Sequence, residues 1–110
     1  MKIVERREND ICILAPVGRL DVNTSESSRE HLLHVIADGT MNIIIDCQSL
    51  DCISSGGLRA VLEGVKEIWQ MEGKMVLCSL KDYIKEVFEV TQFDTFLPIA
   101  ETVEEALREF

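Results

Sequence analysis

Positive charge is sparse and scattered in this chain: eleven Lys and Arg stand against twenty Asp and Glu, a net of −9, and they form no basic stripe. A polyanion would meet repulsion over most of such a surface, so nucleic acid is excluded as a partner. Aromatic side chains are also few, one Trp, one Tyr and four Phe. Trp69, Phe88, Phe93 and Phe96 have nothing basic interleaved with them, so they read as core and rim rather than as a platform for stacked bases. Long apolar runs are missing. No stretch approaches the roughly 18–20 apolar residues of a membrane span. The N-terminus, MKIVERREND, turns charged within five residues, unlike a secretory leader. The chain is therefore expected in the cytoplasm, without membrane insertion.

Metal-ligand spacing is missing as well. Cys12, Cys47, Cys52 and Cys78 contain no CxxC, and His31 and His34 no HExxH frame, which sets aside a zinc site built from Cys47, Cys52, His31 and His34. Most of the cysteines sit in apolar runs such as ICILAPV and MVLCSL, where a free thiol behaves as a small hydrophobe of a reducing compartment. The histidines read as surface or partly packed. No GxxxxGK[ST] frame cradles a phosphate, and no Ser/His/Asp or Cys/His set can be argued from spacing. An enzyme is not expected, nor any cofactor. No Pro/Ser-rich tract or internal repeat divides the 110 residues, 46% of them apolar, so one domain over 1–110 is expected.

What is present alternates. KIVERR and ICILAPV, parted by the turn-like END, read as an antiparallel hairpin, with Pro16 near the end of the second strand where a ladder bond is lost or an edge begins. GRLDVNTSESS supplies turn and cap residues, and a helix is expected from Thr24 or Ser25 with Leu32, Val35 and Ile36 on its apolar face. MNIIID reads as a buried central strand. From Leu58, the positions Leu58, Val61, Leu62, Val65 and Ile68 form one helical face, with Gly73 as the C-cap. KMVLCSL is a fourth strand, a short helix follows around Ile84, Val87 and Phe88, and TFLPI is a fifth strand at an edge. TVEE, from Thr102, has the capping-box pattern and opens a last amphipathic helix through Val103, Ala106, Leu107 and Phe110. This order predicts an α/β fold with a mixed sheet of about four to five strands and about four helices, antiparallel only in the first hairpin.

The stretch LDCISSGGLRAVL, Leu50 to Leu62, sets two serines and two glycines between an apolar run and the best-patterned helix. Either serine can cap the first-turn N–H groups and the glycines permit an unusual backbone, so cap plus turn accounts for them. A functional reading stands beside it. The start of a helix with exposed small residues tolerates an anion, and a phosphate on a serine there adds about −1.5 to −2 charge that repels an acidic partner surface without unfolding the domain.

ISSGGLRAVL resembles the signature loop of STAS domains, specifically the bacterial anti-sigma factor antagonists: hydrophobic, Asp or Ser, Ser, small, Gly, Leu. GRLDVNTSE is similar to the same family's Gly-x-Leu-Asp loop before the first helix, and IIIDCQSLDCISS to its strand, polar turn and return into the loop. The resemblance covers essentially the whole chain and implies a STAS-like α/β fold. By position it implies that Ser55 is the phosphorylated serine, with Ser54 second to it. Ser54 stands where many members have aspartate, and Gly56 replaces a second hydroxyl residue. Asp21 matches the family's loop aspartate and contacts a basic group on the partner or forms an Asx-turn. Thr24 is cap or interface. Arg59, four residues after Ser55, reaches a partner or a phosphate, or pairs with Glu63 at i+4.

The partner-binding surface so implied comprises Asp21, Asn23, Thr24, Ser54, Ser55, Gly56, Gly57 and Arg59. Its implied work is that of an anti-sigma factor antagonist. Unphosphorylated, it binds an anti-sigma factor with GHKL-type serine kinase activity and frees a sigma factor; phosphorylation at Ser55 switches it off, and a PP2C-type phosphatase reverses this. The alternative is a STAS subunit docked on a lipid-transport ABC ATPase or another non-sigma partner. A ligand-sensing module would need a pocket that no sequence pattern reveals.

Overall fold

The computed structural model describes residues 1–110. The chain runs through β1 (Lys2–Glu8), β2 (Ile11–Leu20), α1 (Ser25–Ala37), β3 (Asn42–Asp46), β4 (Leu50–Ile53), α2 (Ser55–Gln70), β5 (Lys74–Cys78) and α3 (Asp82–Val90). A 3₁₀ turn (Phe93–Thr95), β6 (Ile99–Ala100) and α4 (Val103–Leu107) complete it. The sheet order is β1-β2-β3-β5-β6, with β4 beside β2 off that path. Only β1 and β2 are antiparallel; the pairs β2–β3, β2–β4, β3–β5 and β5–β6 are parallel. The α/β class, the mixed sheet and the four helices agree with the sequence.

Continuous apolarity in the central strands reflects burial on both faces. Register places Cys12, Ile43 and Met75 in one cross-sheet row and Ile13, Ile44 and Val76 in the next. The first row, with Leu14 and Leu77, packs under Leu32, Val35 and Ile36 of α1, Leu58, Val65 and Ile68 of α2, and Ile84 and Phe88 of α3. The second row faces the opposite way and is covered by Ala106, with Val103 and Leu107, of α4. Three helices thus share one face, and the last crosses to the other. Each fully buried Leu, Ile or Val contributes about 1.5–3 kcal/mol.

Strand number is corrected. The sheet has six strands where four to five were expected, because LDCI, too short and mixed to carry a strand pattern, pairs as β4 with the far end of β2. The ten-residue β2 changes partner along its length: Ile11 to Leu14 pair with β3, and Gly18 to Leu20 pair with β4. Pro16 lies in the gap between those partners, where a missing N–H is tolerated. The register shift after Gly18 uses a φ of 104°, which glycine adopts without strain.

Two further boundaries move. TFLPI is largely a 3₁₀ turn and loop, and the edge strand is only Ile99–Ala100. At the end of α2 the left-handed residue is Glu72 (φ 60°), with Glu72 N–H donating to Trp69 O and Gly73 N–H to Ile68 O, a Schellman arrangement one residue before the expected cap. Gly73 is required for space instead, since a Cβ there would lie 2.4 Å from Met41 O.

Candidate functional site

The parallel pairing of Leu20 with Ile53 ends β2 and β4 at the same level, so the loops that follow leave side by side. Ser54 N–H donates to Leu20 O at 2.9 Å and fastens one loop to the other. This brings together the two segments that carry the resemblance, although residues 27–52 of the chain lie between them.

In the first loop Asp21 forms the Asx-turn: its Oδ1 accepts from Asn23 N–H at 2.9 Å, and its main-chain carbonyl accepts from Ser25 N–H at 2.8 Å. Thr24 precedes α1 but does not cap it by its side chain. Its hydroxyl donates to Arg19 O at 2.7 Å and accepts from Asp21 N–H at 3.0 Å, closing the loop on itself. Arg19 Nε lies 3.4 Å from Asp21 Oδ2. The Asn23 N–H, then Arg19 and the Thr24 N–H, hold the Asp21 carboxyl below its ordinary range, so it stays ionised. Val22, at the tip, is 78% exposed.

In the second loop Ser54 is the N-cap of α2, with extended backbone, and its Oγ accepts from Gly57 N–H at 3.2 Å. Ser55 is the first helical residue and is exposed. The sequence leaves either serine open as the cap; in the fold Ser54 satisfies a first-turn donor, and Ser55 is exposed at the positive end of a sixteen-residue helix. Gly57 is buried, and a Cβ on it would lie 2.4 Å from Leu20 O. Its contribution to the surface is the close approach of α2 to β2. Arg59, one turn beyond Ser55, is exposed. The alternative pairing with Glu63 is not formed, because Glu63 Oε2 is held by Arg29 Nε at 2.7 Å.

Residues outside the two motifs also converge here. Lys81 Nζ lies 2.6 Å from Asp51 Oδ1, and the Tyr83 hydroxyl donates to Asp51 O, so the start of α3 stands beside β4. Nothing local in the sequence signals these contacts, which join positions 30 and 32 residues apart. Ser25, within the GRLDVNTSE segment but not among the residues assigned to the surface, lies close to Gly56, where an added Cβ would be 3.8 Å from its Oγ.

Away from this corner, Cys12, Cys47 and Cys78 are buried free thiols; desolvation raises all three, Cys78 to about 11. His31 lies 3.4 Å from Glu5 across α1 and β1, and His34 is exposed. An apolar gap beneath α1 and α2, walled by Leu14, Leu20, Leu32, Ala60, Val61 and Met75, has polar groups only from Ser28 and Arg29 at its lining. That is too few to orient a nucleotide. No helix is long and apolar enough to cross a membrane.

Residues 2–106 match the family model of the STAS domain. The chain is 33% identical over 110 residues to the candidate anti-sigma factor antagonist BtrV of Bordetella bronchiseptica, covering 100% of this chain and 95% of that relative. A candidate anti-sigma factor antagonist from Thermotoga maritima superposes with a TM-score of 0.94 at 21% identity, over 97% of this chain and 92% of the other. The Bacillus cell fate determinant SpoIIAA in its phosphorylated form gives 0.76 at 21% identity, over 98% of each chain. A sulfate transporter family protein from Wolinella succinogenes gives 0.79 at 16% identity, over 91% of this chain and 84% of that one. At these identities the structural likenesses establish a shared fold.

Proposed function

The chain belongs to the STAS domain family, and from that premise we propose that it is an anti-sigma factor antagonist whose grip on its partner is switched by phosphorylation of Ser55. The name carried by the full-length Bordetella relative supports the antagonist reading. The observation that carries the switch is the placement of Ser55: exposed on the first turn of α2, beside the loop of Asp21, Asn23 and Thr24, while Ser54 is occupied as the cap. Unphosphorylated, the surface of Asp21, Asn23, Thr24, Ser54, Ser55, Gly56 and Arg59, with Gly57 buried beneath it, docks on an anti-sigma factor with GHKL-type serine kinase activity and a sigma factor goes free. A phosphate on Ser55 ends the docking, and a PP2C-type phosphatase restores it. The protein works in the cytoplasm by binding, as one STAS domain over 1–110.

Repulsion and desolvation set the scale. Leaving one charge unpaired in a docked surface costs about 2–5 kcal/mol, or roughly 30-fold to several thousand-fold in affinity. No refolding is needed, since the added anion meets the positive end of α2 and the free N–H groups of its first turn. Arg59, without an ion pair of its own, stands one turn along the same helix.

The test is an affinity pull-down from lysate of the native cell, comparing wild type with Ser55→Asp and Ser55→Ala and identifying retained proteins by mass spectrometry. A kinase-fold anti-sigma factor held by wild type and Ser55→Ala but lost with Ser55→Asp supports the switch. Retention by all three overturns it. Recovery of a transporter ATPase instead transfers the same surface to the docking role that a STAS subunit plays on such a machine.

A further inference from the structure

Protein interiors are packed to the density of organic crystals and hold few voids larger than a water molecule. The gap beneath α1 and α2 is such a void, with a volume of about 60 Å³. Its inner walls, Leu14, Leu20, Leu32, Ala60 and Met75, are all buried. Met1, Ser28 and Arg29, each half-buried, line its outer side, so it reaches the surface between the start of β1 and α1. Loose association of the two helices does not explain the space. Gly64, one turn along α2 from Ala60, lies so close to α1 that a Cβ there would fall 2.1 Å from Leu32 Cδ2. The helices are therefore in hard contact immediately beside the gap, and the bare Cα of Gly64 seats a Leu32 side chain that would otherwise have to move. At Ala60 a single methyl then leaves room that a larger side chain would fill.

The chemistry of the lining selects an occupant. Its two polar side chains are engaged: Ser28 Oγ donates to Met1 Sδ at 3.2 Å, while Arg29 Nε is held by Glu63 Oε2 at 2.7 Å and Arg29 Nη1 lies 3.6 Å from Glu26 Oε1. A polar group entering would give up its water partners and find no free side chain to replace them, and a water molecule is held only where it has about two to four polar partners. An uncharged apolar group meets neither obstacle. Size narrows the choice further. A dry apolar cavity of roughly 150 Å³ takes benzene. With less than half that volume and no aromatic side chain in its walls, this gap admits the end of a chain and not a ring.

We propose that this gap is a binding site for the end of an uncharged aliphatic chain, entered between Met1, Ser28 and Arg29, with the remainder of the ligand outside. The unbranched, flexible side chains of Met1 and Met75 adapt the walls to the chain. Binding here needs neither a phosphate on Ser55 nor the docking partner, so the site stands or falls apart from the switch.

The experiment titrates hexanol into wild type and into Ala60→Leu and follows the methyl groups by carbon–proton correlation NMR. Hexanediol, with a hydroxyl at each end, and benzene serve as comparisons. The expected result with hexanol is a set of saturable shifts centred on the methyls of Leu14, Leu20, Leu32, Val61 and Met75. Hexanediol is expected to bind about tenfold more weakly or worse, since whichever end enters brings a hydroxyl with no partner. Benzene is expected to leave those signals in place. Ala60→Leu is expected to melt at or above the wild-type temperature and to lose about tenfold or more in hexanol affinity, because the leucine fills the site. Shifts that never saturate, or that spread over exposed methyls such as those of Val22 and Val90, overturn the proposal. So do equal affinities for hexanol and hexanediol, benzene binding as tight as hexanol, or wild-type hexanol affinity in Ala60→Leu. Should Ala60→Leu melt lower, the comparison of hexanol with hexanediol on wild type decides alone.

Discussion

Substituting Gly57→Ala places a methyl where the fold has no room for it. The new Cβ would lie 2.4 Å from Leu20 O, 2.9 Å from Leu20 Cγ and 3.0 Å from Ile53 Cγ1. The nearest of these is backbone, and that carbonyl cannot simply retreat, because it accepts the 2.9 Å hydrogen bond from Ser54 N–H that joins β2 to the start of α2. Overpacking of a filled core costs about 1–3 kcal/mol, and the rigid neighbour puts this case at the upper end. Alanine returns up to about 1 kcal/mol through helix propensity, so the net expected loss is about 2 kcal/mol. For a domain of this length that corresponds to a fall of about 8–9 °C in melting temperature. Urea unfolding monitored by far-UV circular dichroism, with the slope checked against wild type, measures it. A Gly57→Ala protein as stable as wild type would refute the packing account of this position.

Other outcomes follow from the same geometry. Ser54→Ala removes the acceptor for Gly57 N–H and should lower stability by about 1 kcal/mol in thermal or urea unfolding, while Ser54→Asp, which can cap equally well, should keep it. Asp21 is held below its ordinary carboxyl range by Asn23 N–H, then Arg19 and Thr24. Its contribution is therefore complete above the unfolded-state value of about 3.9 and lost as pH falls through the lower folded value. Asp21→Asn should flatten the decline of stability with acid, and an unchanged acid limb would count against the Asx-turn assignment. Among the four free thiols only Cys52 is not buried. A thiol reagent near neutral pH should label it first in the native protein and reach all four only on unfolding.

How much of this was legible in the sequence depends on where the signal lay. The α2 face from Leu58 to Ile68 and the α1 residues Leu32, Val35 and Ile36 read correctly, because burial of one helical face leaves a period in the chain itself. The junction at Ser54–Gly57 and the GRLD loop were visible as small and polar residues at element ends. Their meeting was not, since it depends on β4 pairing with the tail of β2 through four residues of mixed polarity. The left-handed cap of α2 lies one residue before the glycine that the sequence points to, because Glu72 takes the conformation usually left to glycine, while Gly73 answers to Met41 O. Asp51, Lys81 and Tyr83 joined the corner through long-range contacts with no local pattern. Gly56 and Gly57 look alike in the sequence and differ only once Leu20 is in place beneath the second of them.

The central claim is that a phosphate on Ser55 ends docking without unfolding the domain. The most direct measurement is the affinity of the isolated anti-sigma partner for this protein in two forms, unmodified and phosphorylated at Ser55, with circular dichroism recorded on both. The account predicts superimposable spectra and a loss of affinity of about 30-fold or more. Equal affinity for the two forms, or a loss that appears only together with loss of structure, would contradict it.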